Sequence, residues 1–105
     1  MSNYVQREKH FVLFLINATD KQGKVILSLA TENQTRALSE IAFNLLQLPL
    51  SKKEKDFLTR KKAVLNKLSK NKLNIAEKKE LLHNKRALVL KIVKKFSKIL
   101  EEIAQ

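Results

Sequence analysis

Apolar residues recur at helical spacing along most of this chain, in segments separated by short polar stretches. The first segment begins after Ser2, which can cap a helix, and extends to about Ile16. Tyr4, Phe11 and Leu15 share one side of this helix. Because its other side is also apolar, the pattern predicts a helix that is buried nearly all round. The residues on that other side are Leu13 and Phe14.

The apolar run at residues 11–16 also fits a strand, paired with residues 25–29 across the polar stretch at 17–24. For runs this short, the spacing of apolar residues alone does not distinguish a helix from a strand. We favour the helix because apolar and polar residues do not alternate here, and because no other segment supplies a sheet.

A second, shorter helix is predicted to end near Ala30, with Thr19 or Asp20 as its cap. Gly23 lies in its first turn, where glycine costs about 1 kcal/mol relative to alanine. Thr31 and Gln34 then form a possible capping box.

The third helix follows this box and extends to about Gln47. We expect it to be the central helix, because one of its faces is continuously apolar and its flank is apolar as well. The core face comprises Leu38, Ile41, Ala42, Leu45 and Leu48, and the flank Phe43 and Leu46.

Pro49 separates the third helix from the fourth, since proline lacks the backbone N–H and its ring crowds the preceding turn. Ser51 can cap the fourth helix, and Glu54 can complete the capping box. The pattern predicts a helix from Lys52 to about Lys70. Its apolar arc comprises Phe57, Leu58, Val64, Leu65 and Leu68.

Lys61 lies inside this apolar arc, which leaves two interpretations of its side chain. In the first, the aliphatic stem packs on the apolar neighbours and the ammonium reaches water. In the second, the ammonium projects into a groove and contacts a phosphate.

Asn74 and Glu77 form a possible capping box for a fifth helix. Leu81 and Leu82 anchor this helix, and Lys78 and Lys79 face outward. This helix and the one before it suggest a helix–turn–helix that reads the major groove. We do not favour that alternative, because the turn lacks glycine and the helix lacks a cluster of Arg, Asn or Gln suited to base edges.

The last helix is predicted over about residues 85–104 and has one wide apolar face. We expect it to close the core. The alternative is a basic helix on a membrane surface, which the absence of tryptophan argues against. The apolar face comprises Val89, Ile92, Val93, Phe96, Ile99, Leu100 and Ile103. The opposite stripe comprises Lys91, Lys94 and Lys98, with Arg86 and Lys95 beside it.

With 105 residues, one glycine, one proline and no cysteine, the chain has few turn residues and no disulfides. Long helices with short connections fit this composition. We therefore predict an all-α fold, a compact antiparallel bundle of about six short helices, with residues 1–105 as a single basic helical domain.

Catalytic chemistry is not indicated. His10 and His83 are the only histidines, and neither has an acidic cluster nearby in sequence. No nucleophile motif or glycine-rich phosphate loop occurs. The sequence predicts a protein that is not an enzyme and has no metal or cofactor. The longest apolar run, at residues 11–16, is too short for a secretion signal, so we expect an intracellular protein.

The net charge of +12 is unevenly distributed. Residues 1–50 carry five Lys or Arg and four Asp or Glu, whereas residues 51–105 carry seventeen and six. Such asymmetry points to nucleic acid or an anionic membrane, although a lysine-rich face can also serve solubility alone.

Residues 37–46 (ALSEIAFNLL), 48–51 (LPLS) and 74–82 (NIAEKKELL) occur in an order that resembles short basic proteins encoded by Polinton/Maverick elements and adintovirus-like sequences of animal genomes. The resemblance covers about residues 25–82. It implies a virion or nucleoprotein context, in the nucleus or the virion, and no catalytic residue. Such proteins often continue with glycine-rich apolar sequence, whereas this chain continues with a lysine-bearing helix.

The charge pattern favours sequence-independent binding or condensation of nucleic acid. After residue 50, lysine outnumbers arginine by 15 to 2, which suits attraction to phosphates more than base readout. The alternatives are a death-fold-like interaction module with an acidic partner, and membrane-surface binding through the last helix. The candidate phosphate contacts are Lys52, Lys53, Arg60, Lys61, Lys62, Lys67, Lys70, Lys72, Lys78 and Lys79.

Overall fold

The computed structural model describes residues 3–69 and 73–104; it is 84% helical and contains no strand in these ranges. The predicted all-α class is therefore confirmed. The hairpin alternative for residues 11–29 is wrong, because helices cover both segments that it would have paired.

Nine helices occur within the described residues. In chain order they are α1 (Asn3–Arg7), α2 (Lys9–Asn17), α3 (Asp20–Ser28), α4 (Glu32–Gln47), α5 (Lys52–Arg60), α6 (Lys62–Ser69), α7 (Ile75–Asn84), α8 (Arg86–Lys95) and α9 (Ser97–Ala104).

The prediction of about six helices is wrong because three of the predicted helices are interrupted at a single residue. The interrupting residues are Glu8, Lys61 and Phe96, with φ of −104°, −113° and −106° and small positive ψ. Each carbonyl still accepts a hydrogen bond from the N–H four residues later, at 3.0–3.2 Å. The chain therefore changes direction at these residues without glycine or proline, and the carbonyl of each residue stays hydrogen-bonded.

Four helices begin with a complete capping box, in which the cap side chain accepts from the third helical N–H and the third side chain accepts from the cap N–H. The boxes at α4, α5 and α7 confirm the prediction. Thr19 caps α3 as expected, and Gln22 completes a box there that was not predicted. Ser2 lies outside the described residues. The four pairs are Thr19–Gln22, Thr31–Gln34, Ser51–Glu54 and Asn74–Glu77.

α4 is central, as predicted, and packs against α1, α6 and α7. Leu38, Ile41, Ala42 and Leu45 on this helix are buried in the core, and Leu48 beyond its end is half-buried. The radius of gyration is 12.4 Å, close to the value of about 13 Å for a compact domain of this length.

Two expectations about burial need revision. α2 is not buried all round, because the Phe14 side chain is 63% exposed and Leu13 is half-buried. The apolar face of the last predicted helix is divided between α8 and α9 but still enters the core. Val89, Ile92, Val93, Phe96 and Leu100 are buried, Ile99 is half-buried, and the Ile103 side chain lies outside the described part.

Candidate nucleic-acid interface

Of the ten predicted phosphate contacts, six have exposed side chains and a seventh, Lys61, is half-buried. Lys70 and Lys72 lie outside the described residues. The exposed residues are Lys52, Lys53, Arg60, Lys62, Lys67 and Lys79.

Lys78 is the exception, because its side chain is only 8% exposed. The expectation that it faces outward is therefore wrong. Its ammonium donates to the Ser39 hydroxyl at 2.7 Å, and that hydroxyl donates to the Leu68 carbonyl at 2.6 Å. This chain of hydrogen bonds joins α7 to α4 and α6. Burial, followed by the positive charge of Arg36, lowers the pKa of Lys78.

Lys61 and Lys95 share one aromatic ring. The Lys61 ammonium lies 4.1 Å from the centroid of Phe57, and the Lys95 ammonium lies 5.7 Å from it. Phe57 is half-buried and packs edge-on against the buried Phe96, at 6.0 Å between centroids. The ring therefore lies beside two lysines: Lys61, a predicted phosphate contact between α5 and α6, and Lys95 of α8. Its negative face attracts both ammonium groups and offsets part of the repulsion between them.

A cleft of about 450 Å³ opens beside this ring, between α3, α5 and α8. We call it the lysine cleft. Its apolar side chains are Phe57, Ala87 and Leu90, its ammonium groups belong to Lys24, Lys91, Lys94 and Lys95, and its one carboxylate is Asp20.

Gly23 explains how Lys24 of α3 reaches a cleft on α8. A Cβ atom on this buried glycine would lie 2.6 Å from Cδ1 of Leu90, too close for a real contact. The absence of a side chain therefore lets α3 approach α8 closely. That approach places Lys24 along the same cleft as Lys91 and Lys95.

Asp20 and Lys24 also line a second cleft, the outer groove, of about 630 Å³ between α3 and the α7–α8 junction. The two clefts therefore run along the same side of α3. Besides this shared pair, the outer groove is lined by Lys21, Val25, Ser28, Leu29, His83 and Arg86.

Lys94 has a structural role instead. Its ammonium donates to the carbonyls of Ile16, at 3.0 Å, and Ala18. These carbonyls end α2, where the helix dipole is negative and the last carbonyls lack helical partners. We therefore leave Lys94 out of the candidate interface.

Carboxylates lie close to two of the cleft lysines. Asp20 lines both clefts beside Lys24. The hydrogen bonds from Ser51, and then the charge of Lys95, lower the pKa of Glu54. Between described residues, the ion pair within 4.0 Å joins Arg36 to Glu32, one turn apart on α4. Among the described residues, the ammonium groups of the clefts form no ion pair within that distance, so they can still contact an external anion. We call this set the basic surface: Lys21, Lys24, Lys61, Arg86, Lys91 and Lys95.

The basic surface overlaps the predicted set only at Lys61. Lys62 lines a separate cleft with Lys55 and Leu58, and the other exposed members of the predicted set line none of these three clefts. Lys21 and Lys24 were missed because they come from the half of the chain with balanced charge. The signal for Lys24 was its neighbour Gly23, since an isolated glycine in a helix often marks close packing.

Within the ranges that the structure covers, no group of three or more His, Cys, Asp or Glu side chains is arranged to hold a metal ion. No helix there is both long and apolar enough to cross a bilayer. The chain matches no protein-family model, no curated protein and no solved structure.

Proposed function

We propose that this protein binds nucleic acid without sequence preference, through the phosphate backbone, and that the basic surface is the centre of contact. The observation that supports this most directly is the convergence of cationic side chains. Lys21, Lys24, Arg86, Lys91 and Lys95 come from α3 and α8 and line clefts that hold a single carboxylate, Asp20. Lys61, between α5 and α6, lies over the Phe57 ring beside them. Ammonium groups neutralise phosphates and release condensed counterions. The protein acts by binding, and we assign it no catalytic residue.

The proposal keeps the class of partner inferred from the sequence and changes the predicted location. The exposed lysines of α5 and α6 extend the positive field around the basic surface, which aids the approach of a polyanion. The resemblance to proteins of Polinton/Maverick and adintovirus-like elements supports a role in a virion or nucleoprotein, in the nucleus or the virion. We also propose that neighbouring helices of the bundle pack antiparallel.

A salt titration of binding to duplex DNA, to RNA and to an acidic protein tests the proposal. We expect the logarithm of the nucleic-acid binding constant to fall with the logarithm of salt concentration, with a slope steeper than about −4 that is similar across sequences. Changing Lys24, Lys91 and Lys95 to glutamine together should make that slope shallower by about 2 to 3, since each phosphate contact contributes about 0.9.

The matched control changes Lys52, Lys53 and Lys67 to glutamine, which removes the same charge from α5 and α6. We expect a smaller change in slope than for the cleft variant. If the control variant changes the slope more, the contacts lie on α5 and α6 and the proposed location is wrong. A salt-independent binding constant for nucleic acid would contradict the function itself.

A second candidate is an acidic protein partner in the outer groove. It is favoured by Val25 on α3 and Leu29 directly after it, which are 52% and 75% exposed and line the groove with Lys21 and Arg86. An apolar strip flanked by cations complements an acidic amphipathic helix. Tight binding to the acidic protein in the same titration, with no binding to DNA or RNA, would support this candidate.

Membrane-surface binding through the last helix has less support. The apolar face that would enter the membrane is used by the core at Val89, Ile92, Val93, Phe96 and Leu100. Exposing it would require the core to open.

A further inference from the structure

We propose that the lysine cleft accepts an unpaired nucleobase, so that the protein binds single-stranded nucleic acid more tightly than duplex. This inference rests on the proposed function and adds the form of nucleic acid. It starts from the combination of apolar and cationic side chains in a single cleft. The apolar lining is Phe57, Ala87 and Leu90, and the cationic lining is Lys24, Lys91 and Lys95, with Asp20 and the hydrogen-bonded Lys94 completing the cleft.

Such a combination matches the chemistry of a nucleotide in a single strand. Its base has a flat face that stacks on aromatic and apolar side chains, and the phosphates on either side carry the negative charge. A volume of about 450 Å³ lies within the usual range of about 300–1,000 Å³ for small-ligand pockets.

Phe57 is the side chain on which we expect the base to stack. Its edge-on contact with the buried Phe96 holds the ring in place, while its half-buried state leaves part of it facing the cleft. Lys61 and Lys95 flank the same ring at 4.1 and 5.7 Å. When a base stacks there, the flexible Lys61 stem can move its ammonium from the ring to a neighbouring phosphate, with which it forms a charge-assisted contact.

Two small or buried apolar side chains line the cleft beside Phe57. Leu90 is only 2% exposed, and Ala87 is exposed but has a small side chain. Lys24 of α3 and Lys91 of α8 line the same cleft, so a strand that crosses it would meet ammonium groups from two helices.

Duplex DNA does not place a base in this cleft, because its bases are paired and stacked inside the helix and must be unstacked before they leave it. A duplex therefore gains only the phosphate contacts. A single strand gains the same kind of contact and the stacking on Phe57 as well.

The test compares three probes with equal numbers of phosphates at one salt concentration: a thymidine oligonucleotide, an abasic oligonucleotide and a duplex. For the wild-type protein we expect the thymidine strand to bind roughly 5- to 150-fold more tightly than the abasic strand, which is the usual effect of stacking one base on an aromatic side chain. This comparison needs no variant and does not depend on the folding of one.

Phe57→Leu keeps an apolar side chain but removes the aromatic face. We expect it to lower the affinity for the thymidine strand to that for the abasic strand and to leave duplex binding unchanged. Phe43→Leu is the matched control, because Phe43 is 54% exposed on α4 and lines neither the lysine cleft nor the outer groove. It should bind all three probes as the wild-type protein does.

Equal affinities of the wild-type protein for thymidine and abasic strands would overturn this inference, and salt-dependent duplex binding would still support the proposed function. Base-dependent binding that Phe57→Leu leaves intact would also overturn it, since the base would then stack elsewhere. If the wild-type protein bound none of the three probes, both the proposed function and this inference would fail.

Discussion

A lysine in the core is the residue for which the structure differs most from the sequence-based expectation. The sequence-based prediction has Lys78 facing outward, which is where lysine lies in most proteins. The helical period pointed the other way, since Lys78 lies three residues after Ile75 and four before the fully buried Leu82. The position was therefore predictable from spacing, but the residue type outweighed it.

Replacement of Lys78 by methionine should stabilise the fold. The ammonium is desolvated and has the neutral Ser39 hydroxyl as its partner at 2.7 Å, so its charged form is disfavoured in the native state. Methionine has a similar shape and leaves Ser39 bonded to the Leu68 carbonyl. We expect an increase of about 1 kcal/mol in the free energy of unfolding at neutral pH, measured with urea.

The lowered pKa of Lys78 also predicts how the stability of the wild-type protein changes with pH. The pKa of Lys78 is lowered from its ordinary 10.5, so the native state releases this proton at lower pH than the unfolded chain does. Below the lowered pKa, Lys78 is charged in both the native and the unfolded state, so the full cost of burying its charge reduces the free energy of unfolding. Between the lowered pKa and 10.5, stability rises with pH because the unfolded state binds more protons.

The methionine variant lacks this contribution, so its advantage over the wild-type protein should shrink as pH rises toward that of the free lysine. A Lys79→Met variant is the control, because Lys79 is exposed on the same helix. A Lys78→Met variant that is less stable than the wild-type protein at every pH would show that the hydrogen bond to Ser39 outweighs the cost of burial.

At the scale of the helices, their starts were predictable and the interruptions within them were not. Ser, Thr and Asn caps followed by Glu or Gln are local signals, and four helices begin with them. In the box at α5, the hydrogen bond from the Ser51 backbone N–H lowers the pKa of Glu54. The interruptions at Glu8, Lys61 and Phe96 involve neither glycine nor proline and keep their backbone hydrogen bonds, so tertiary packing decides them.

The contact between α3 and α8 should show strong coupling between Gly23 and Leu90. Gly23→Ala places a methyl group 2.6 Å from Leu90 Cδ1, so the leucine side chain or one of the two helices must shift. Leu90→Ala alone leaves a cavity and should cost about 2–5 kcal/mol. In the double variant the new methyl group occupies part of that cavity, so the combined loss should be smaller than the sum by about 0.5–3 kcal/mol.

Urea unfolding of the four proteins in this cycle measures the coupling. Gly23→Ala combined with Leu68→Ala provides the control, because Leu68 is buried on α6 and is not among the atoms nearest to Gly23. Additive losses in the Gly23–Leu90 pair would mean that α3 moves away from α8 without strain. In that case Gly23 would not determine the position of Lys24.

At the scale of the whole molecule, the sequence predicted the fold class and the sign of the surface charge but not where the charge is concentrated. Scarce glycine and proline were enough to predict helices, because few other folds tolerate so few turn residues. Along the sequence, the excess of positive charge lies after residue 50. Packing of α3 against α8 joins Lys24 from the balanced half to Lys91 and Lys95. The isolated Gly23 is a local sign of this contact, but the charge pattern along the chain does not predict it.

The net charge of +12 should make stability rise with salt. The molecule extends over 33 × 28 × 28 Å, whereas the Debye length is about 30 Å at 0.01 M salt and about 8 Å at 0.15 M. At low salt every cation therefore repels the others across the whole fold. The Arg36–Glu32 pair, 40% and 54% exposed, offers little compensation in the described part of the chain.

We therefore expect the free energy of unfolding, measured by urea titration, to increase from 0.01 M to 0.15 M sodium chloride, where the Debye length falls by roughly fourfold. The Lys24, Lys91 and Lys95 to glutamine variant should show a smaller increase, because part of the repulsion has been removed. A short nucleic-acid strand at low salt should stabilise the wild-type protein more than this variant, since only the native state presents the assembled basic surface. Stability that decreases with added salt would mean that attractive charge pairs dominate the fold, and the basic surface would then not be a region of unrelieved repulsion.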